Sequence, residues 1–298
     1  MDMREQKYGV EIEFTGMTRY DAAKAIAELF GTREAYIGGA YDTYEIADNS
    51  GRRWKVMSDA SIRAQNRDGE SVGTEYRCEM VSPICEYNDI ETIQEIIRKL
   101  RHTGMRVNSS CGVHVHIDAS THTARSLKNI ANIMASKENL LFMALGTEQS
   151  RIDRWCKKVD NRFLDRINTG GEKTMTLLRN YWYNGQDGAN RHYHDSRYHA
   201  LNLHSVWQKG TIEFRVFNST KHSGRVKAYI QLCLAISNQA KTQHSASRRE
   251  TRTTNPKYTF RTWLIRLGLN GDEFKTARKH LLAKLDGDIA FKNGRGVA

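Results

Sequence analysis

The sequence predicts an α+β fold, on three observations. Segments that alternate polar and apolar residues, such as KYGVEIEF and TIEFRVFN, are interspersed with segments of helical period. Two of the alternating stretches pair with neighbours across short turns and read as hairpins. Neither G-x-x-x-x-G-K-[ST] nor G-x-G-x-x-G occurs, which removes the P-loop and Rossmann readings.

The elements follow in order. KYGVEIEF reads as a strand. A helix is expected over residues 19–30, with Thr18 and Asp21 set as a capping box and Gly31 as its stop. DTYEIADNSGRRWKVMSD reads as a hairpin around Asn49, Ser50 and Gly51. EYRCEMVS reads as a strand ended by Pro83, followed by a helix from Asp89, capped by Asn88, to Gly104. Strand 111–118 leads to helical sequence over 121–145, and the stretch to 190 is less decisive. HALNLHSV, the turn Gln208-Lys209-Gly210 and TIEFRVFN read as a second hairpin, and a helix is expected over 223–240. Residues 241–257 are polar, as in a linker or long loop. Beyond them, Phe260, Trp263, Leu264 and Leu267, then Phe274, Ala277, Leu281 and Leu285, fall at helical spacing and predict two short amphipathic helices.

Composition narrows the class. A hydrophobic content of 39% with 27% charged residues fits a soluble globular chain. The N-terminus has no apolar stretch of signal-peptide length. The most apolar helical run, LKNIANIMASKENLLFMALG, is interrupted by Lys128, Asn129, Lys137 and Glu138, so a cytoplasmic protein with no membrane partner is expected. Five scattered cysteines without a C-x-x-C pair argue against a disulfide framework and a thiolate zinc site. Of the net charge of +12, residues 241–298 carry +8, from 13 Lys and Arg against 5 Asp and Glu. Such a tail can attract nucleic acid, although a solvated face is the commoner reason for one. The sequence divides accordingly into a catalytic domain, 1–240, and a basic helical extension, 241–298, after a polar linker.

Four candidate strands carry an unusual polar face. Side chains alternate across a strand, so Val10, Ile12 and Phe14 face one way and Glu11 and Glu13 the other. In GVHVHID, Val113, Val115 and Ile117 oppose His114, His116 and Asp118; in TIEFRVF, Ile212, Phe214 and Val216 oppose Glu213 and Arg215; in EYRCEMV, Glu75, Arg77 and Glu79 share a face. A solvated strand face favours Thr, Lys and Ser. Carboxylates, imidazoles and an arginine instead suggest a site for metal and anion. Adjacent carboxylates such as Glu11 and Glu13 repel unless a cation sits between them.

Carboxylate clusters suit Mg2+ or Mn2+, with imidazole as an acceptable further ligand. An arginine beside them fits phosphate oxygens. Together they describe phosphoryl transfer by positioning and charge neutralisation, but a two-metal nuclease needs a similar acid set. Residue chemistry leaves ligase and nuclease both open. Neither H-E-x-x-H nor G-x-S-x-G occurs. The polar loop RHYHDSRYH, with His192, His194 and His199, and the cluster Tyr181, Trp182 and Tyr183 are better explained by loop contacts and packing than by metal or base binding.

NSSCGVHVHID resembles the asparagine-glycine-histidine-x-histidine strand of the glutamine synthetase superfamily, and GTIEFRVFNST resembles its Glu-x-Arg strand. With YGVEIEF, WKVMSDASI, CEMVSPI and RYHALNLHSVW, the order of motifs over residues 7–240 is similar to the amidoligase family, carboxylate–amine ligases within that superfamily. The resemblance implies an antiparallel sheet curved around a site for ATP and Mg2+ or Mn2+, with helices packed on the outer face.

Motif by motif, the resemblance implies Glu11, Glu13, Glu79, His114 and Glu213 as metal ligands, and His116 as a contact to phosphate or substrate. It implies Arg215 as the phosphate-binding arginine, and Asp59 and Ser61 (the D-x-S motif) and Asn202 (the L-N motif) as residues lining the nucleotide site. Arg151 and Arg154 sit near a basic motif. Departures are Cys111 before Gly112 and Ala60 between Asp59 and Ser61. The implied reaction is ATP-dependent: a substrate carboxylate takes the γ-phosphate, and an amine then displaces phosphate from the acyl phosphate to give an amide or isopeptide bond. Carboxylate and amine substrates, with peptide or protein side chains among the candidates, would be the partners, and Asp118, Glu75 and His116 are candidate bases. The alternatives are a divalent-metal nuclease using the basic tail, and an inactive nucleotide-binding protein of the same fold.

Overall fold

The computed structural model describes residues 2–292. Its described helices and strands divide into two compact units. The first comprises residues 7–115 and 217–227; of the described residues, the second comprises 2–6, 116–216 and 228–292.

The first unit holds β1 (Tyr8–Phe14), α1 (Arg19–Phe30), β2 (Glu34–Gly38), β3 (Thr43–Ala47), β4 (Arg53–Met57), β5 (Cys78–Val81), α2 (Asp89–Thr103) and the start of β6 (Gly112–Asp118). The second holds the rest of β6, then α3 (Ala124–Leu145), α4 (Gln149–Arg154), α5 (Asn161–Asn168), α6 (Met175–Trp182), β7 (Leu201–Asn202), α7 (His204–Lys209) and most of β8 (Thr211–Asn218). α8 (Ser223–Thr242), α9 (Pro256–Arg266) and α10 (Lys275–Leu282) follow. The strand order is β2-β3-β4-β5-β1-β6-β8-β7, an open eight-stranded sheet. The pairs β1 with β5, β2 with β3, β3 with β4, β4 with β5 and β7 with β8 are antiparallel, so the α+β class holds.

Alternation builds the first core. Val10, Ile12 and Phe14 are sealed from solvent with Trp54, Val56 and Met80 of the neighbouring strands. Each large side chain so buried contributes roughly 1.5–3 kcal/mol. α1 lies against β3, β4 and α2, and its Ala22, Ala23, Ala25 and Ala27 keep that face thin. Thr18 accepts the Asp21 N–H as expected, but its hydroxyl donates to the Asp21 carboxylate, so the reciprocal half of the box is absent. Gly31 stops the helix at φ 67°, a left-handed conformation that glycine adopts without Cβ strain.

Four local expectations change. β2 escapes the pattern because it is an edge strand whose Ala35, Tyr36 and Ile37 are exposed, leaving no buried face to impose alternation. The strand predicted from Glu75 starts only at Cys78: Thr74–Tyr76 form a 3-10 turn, and the buried Arg19 guanidinium takes the carbonyls of Thr74 (2.6 Å) and Arg77 (3.0 Å). Asn88 does not cap α2 with its side chain; the Asp89 carboxylate instead accepts the Glu86 N–H (2.7 Å) and pairs with Arg52. HALNLHSV yields only two strand residues, because Asn202 Oδ1 accepts the His204 N–H (2.9 Å) and starts the helical turn α7.

In the second unit α3 packs against α5, α6 and α10. Leu127, Ile130, Ala131 and Met134 are buried on α3, as are Ile230, Cys233 and Leu234 on the part of α8 that belongs to this unit. Residues 243–254 form a loop pinned along α3: Asn129 holds the Gln243 carbonyl (2.8 Å), Asn132 that of Ala246 (3.0 Å), and Ser136 accepts the Thr251 N–H (2.9 Å). α9 and α10 bury Phe260, Trp263, Leu264, Phe274, Ala277, Leu281 and Leu285, the periodic set read from sequence. All five cysteines are buried thiols, and no described helix is long and apolar enough to cross a membrane.

Candidate functional site

In the first unit, β1, β5 and β6 each contribute polar side chains, and little of that surface is wet. Glu13, Glu79 and His114 are all buried and Glu11 is half-buried. The antiparallel register of β1 on β5 sets Glu13 opposite Glu79, and Glu11 opposite Val81. The His114 ring lies between two carboxylates, Nδ1 at 3.0 Å from Glu11 Oε2 and Nε2 at 3.7 Å from Glu13 Oε1. The Gly112 N–H donates to Glu13 Oε2 at 2.5 Å, which fixes one carboxylate oxygen against the strand bearing His114.

Two donor groups result. Glu11, Glu79 and His114 offer one ligand atom each, all within 4.8 Å of one another, and so do Glu13, Asp59 and Glu79. Glu79 belongs to both, so it could bridge neighbouring ions. Opposed carboxylates out of water repel, and a divalent cation relieves that cost. Five oxygen- and nitrogen-bearing side chains, with no thiolate among them, fit a hard divalent ion of the Mg2+ or Mn2+ type. Asp59 is presented from the turn after β4, where its carboxylate accepts the Ser61 N–H at 2.6 Å. Ser61 therefore shapes the turn that holds Asp59.

In the second unit, Glu213 and Arg215 project from β8 at two-residue spacing and are both buried. Arg215 donates through Nη1 to Glu213 Oε1, and Asn202 Nδ2 donates to Glu213 Oε2 at 2.6 Å. His116, two residues beyond His114 on the same strand, bonds through Nδ1 to the Thr211 hydroxyl (2.9 Å), and its Nε2 stands 3.9 Å from Glu213 Oε1. His116, Asn202, Glu213 and Arg215 thus form one connected group. Arg215 holds a guanidinium in a dry setting, where its attraction for an anion exceeds that of an exposed lysine.

Other predicted residues fall outside these groups. Asp118 is half-buried and spends its oxygens on the Ser120 N–H (2.9 Å) and hydroxyl (2.7 Å). Glu75 lies exposed in the 3-10 turn, away from the strand face it was assigned to. Arg151 is buried, while Arg154 is exposed and stacks over Trp155 at 4.6 Å. His194 bonds to Ser196 (2.8 Å) within the loop, while His199 bonds to the Lys158 carbonyl (2.6 Å) and His192 to Gln208 of α7 (3.0 Å), which tie the loop to neighbouring segments. Trp182 and Tyr183 are buried, and Trp182 packs edge-on to Phe163 at 5.1 Å.

Two residues escaped sequence reasoning. Thr211 orients His116, and a signal for it existed: Thr211, Glu213 and Arg215 fall at i, i+2 and i+4 of one strand. Glu138 counted only as a charge interrupting an apolar run, yet it is buried on α3 and accepts the Val159 N–H at 2.9 Å. Desolvation raises its carboxyl to about 7. Its apolar neighbours at helical spacing, Met134 and Leu141, were the available clue.

The sequence matches the family described as "Putative amidoligase enzyme" over residues 4–237. No curated protein matches the chain. Among solved structures, it is similar to a bifunctional glutathione synthetase from Pasteurella multocida, at 10% identity and a TM-score of 0.37, over 94% of this chain and 47% of that one. The chain spans about half the length of that protein, and a likeness at this level carries no argument. The family match takes in Glu11, Glu13, Asp59, Glu79, His114, His116, Asn202, Glu213 and Arg215, and by that match the chain belongs to the amidoligase family.

Proposed function

We propose that this chain is an ATP- and divalent-metal-dependent carboxylate–amine ligase with a curved sheet of the glutamine synthetase type. Residues 1–240 would be the catalytic part and 241–298 an extension, a division supported by the family match ending at 237. The observation that carries the reading is the placement of Glu13 against Glu79, with Asp59, Glu11 and His114 within ligand distance. Carboxylates set opposite one another in a buried place are costly, and a role in holding cations accounts for their gathering there.

In this reading Glu11, Glu13, Glu79, His114 and Glu213 hold Mg2+ or Mn2+. When bound, the ions supply positive charge against the nucleotide phosphates. Arg215 meets phosphate oxygens through its guanidinium, held in place by Glu213, and Asn202 fixes Glu213 in turn. Asp59 and Ser61 line the nucleotide region. Activation of the substrate acid as an acyl phosphate is needed because a carboxylate at neutral pH is a poor electrophile with a poor leaving group; the amine then displaces phosphate. The incoming ammonium must lose a proton, and His116, held by Thr211, is better placed to take it than Asp118, which is committed to Ser120. Peptide or protein side chains are candidate acids and amines.

Thermal unfolding tests this without knowledge of either substrate. The wild type and Glu11→Gln/Glu13→Gln would be melted with Mg2+ alone and with Mg2+ plus a non-hydrolysable ATP analogue. A ligand at a hundredfold excess over Kd adds about 2.7 kcal/mol. A nucleotide-dependent rise that the double substitution abolishes supports the reading. Stabilisation by metal alone, with no nucleotide effect, sinks it and favours a divalent-metal nuclease.

A further inference from the structure

A cavity of about 530 Å³ opens beside α9, α10 and the segment after α10. It lies wholly in the part of the chain that follows the family match. Five cations line it, Lys257 and Arg261 from α9 and Lys275, Arg278 and Lys279 from α10, against a single carboxylate, Asp288. Lys257 and Arg261 are one helical turn apart, as are Lys275 and Lys279, so like charges stand side by side on each helix. Among the described residues, no carboxylate forms an ion pair with any of these five cations. Arg278 is anchored instead to the Leu269 carbonyl at 2.9 Å, which steadies its guanidinium at the wall. Leu282 and Ile289 add apolar surface.

A solvated basic face would spread its charges. Here they converge on a concavity of ordinary ligand size, where a bound anion would relieve their mutual repulsion. We propose that this cavity binds a small polyphosphate, a ligand with two or more linked phosphate groups, at a site distinct from the residues assigned to ligation. Guanidinium and ammonium groups together match dense phosphate charge, and five cations against one carboxylate suit a multiply charged anion. The five cations gather around a single concavity instead of running along a helix as a stripe, which favours a compact ligand over a nucleic acid backbone tracked along its length.

The test is calorimetric titration of the full chain in EDTA with inorganic triphosphate and, separately, with a nucleoside triphosphate. Wild type is compared with Arg261→Gln/Lys279→Gln and with Arg266→Gln, an exposed α9 position outside the cavity. One-to-one binding is expected, at least tenfold weaker in the double variant and unchanged in Arg266→Gln. A triphosphate-dependent rise in melting temperature should vanish with it, while the variant's ligand-free midpoint should not fall, since repulsion is removed. Tighter nucleoside binding would assign the Leu282 and Ile289 wall to the organic part, and equal binding would assign the site to the phosphate chain; either supports a polyphosphate site. Absence of binding, equal binding in the double variant, or a mixed-sequence oligonucleotide that binds more tightly than triphosphate and depends on the same two cations would overturn the proposal.

Discussion

Glu13 and Glu79 stand directly opposite one another on adjacent antiparallel strands, both buried, with the Gly112 N–H on one Glu13 oxygen and the His114 ring on the other. Two facing carboxylates make the protein less stable than the backbone pairing alone would allow. Replacing Glu79 with Gln keeps the shape and removes one charge. The metal-free midpoint of Glu79→Gln should rise, by about 0.5–1 kcal/mol of stability. Any stabilisation by Mg2+ should fall at the same time. Differential scanning calorimetry with and without EDTA would decide, and a lowered metal-free midpoint would mean the charges are not opposed.

Arg215 and Glu213 form a buried pair one strand step apart, with Asn202 on the second Glu213 oxygen. Removing one member of a buried pair leaves the other charge uncompensated, at about 3–5 kcal/mol. Arg215→Met should therefore be strongly destabilised in urea, and Glu213→Gln/Arg215→Met should regain much of the loss. A double-mutant cycle with additive effects would refute the coupling.

Glu138 makes stability pH-dependent on the neutral side. Its folded carboxyl titrates near about 7 and its unfolded one near the ordinary 4.5, because burial opposes ionisation more than the Val159 N–H favours it. Between these values the folded state holds the extra proton, so stability falls as pH rises from about 4.5 to 7, by on the order of 3 kcal/mol. Glu138→Gln should flatten that slope in unfolding measurements across the interval; an unchanged slope would locate the titration elsewhere.

His122 works in the opposite direction. It bonds to Ser126 (3.0 Å) and Ser237 (2.9 Å), and burial, with Lys241 nearby, lowers its imidazole to about 4. Its unfolded value is about 6.5, so the unfolded state takes up the proton first and stability is lost as pH falls from 6.5 toward 4. The loss is on the order of 3 kcal/mol. In His122→Asn this acid sensitivity should shrink, although overall stability drops with the lost packing. Retention of the full acid slope in the variant would show that His122 is already protonated in the fold.

Local pattern was enough for β1, β6 and most of β8. In each strand the period-two alternation, which needs only the geometry of a single strand, names the buried apolar set and the charged or imidazole set opposite it. The motif order also led to the family to which the chain belongs. Helix stops such as Gly31, and the periodic faces of α9 and α10, were equally local.

Pairing between distant segments decided the rest. The register of β1 on β5 sets Glu13 against Glu79, and no local rule fixes register between strands more than sixty residues apart. Arg19, one helix away, draws the Thr74 and Arg77 carbonyls into its own bonds and thereby takes Glu75 off the strand face. Glu138 looks solvated in sequence and is dry in the fold, because the segment ending at Val159 covers it. Sequence determined which side chains share a strand face, because alternation is a property of one strand; tertiary structure decided which of those faces meet and stay dry, because that depends on contacts the chain makes only once folded.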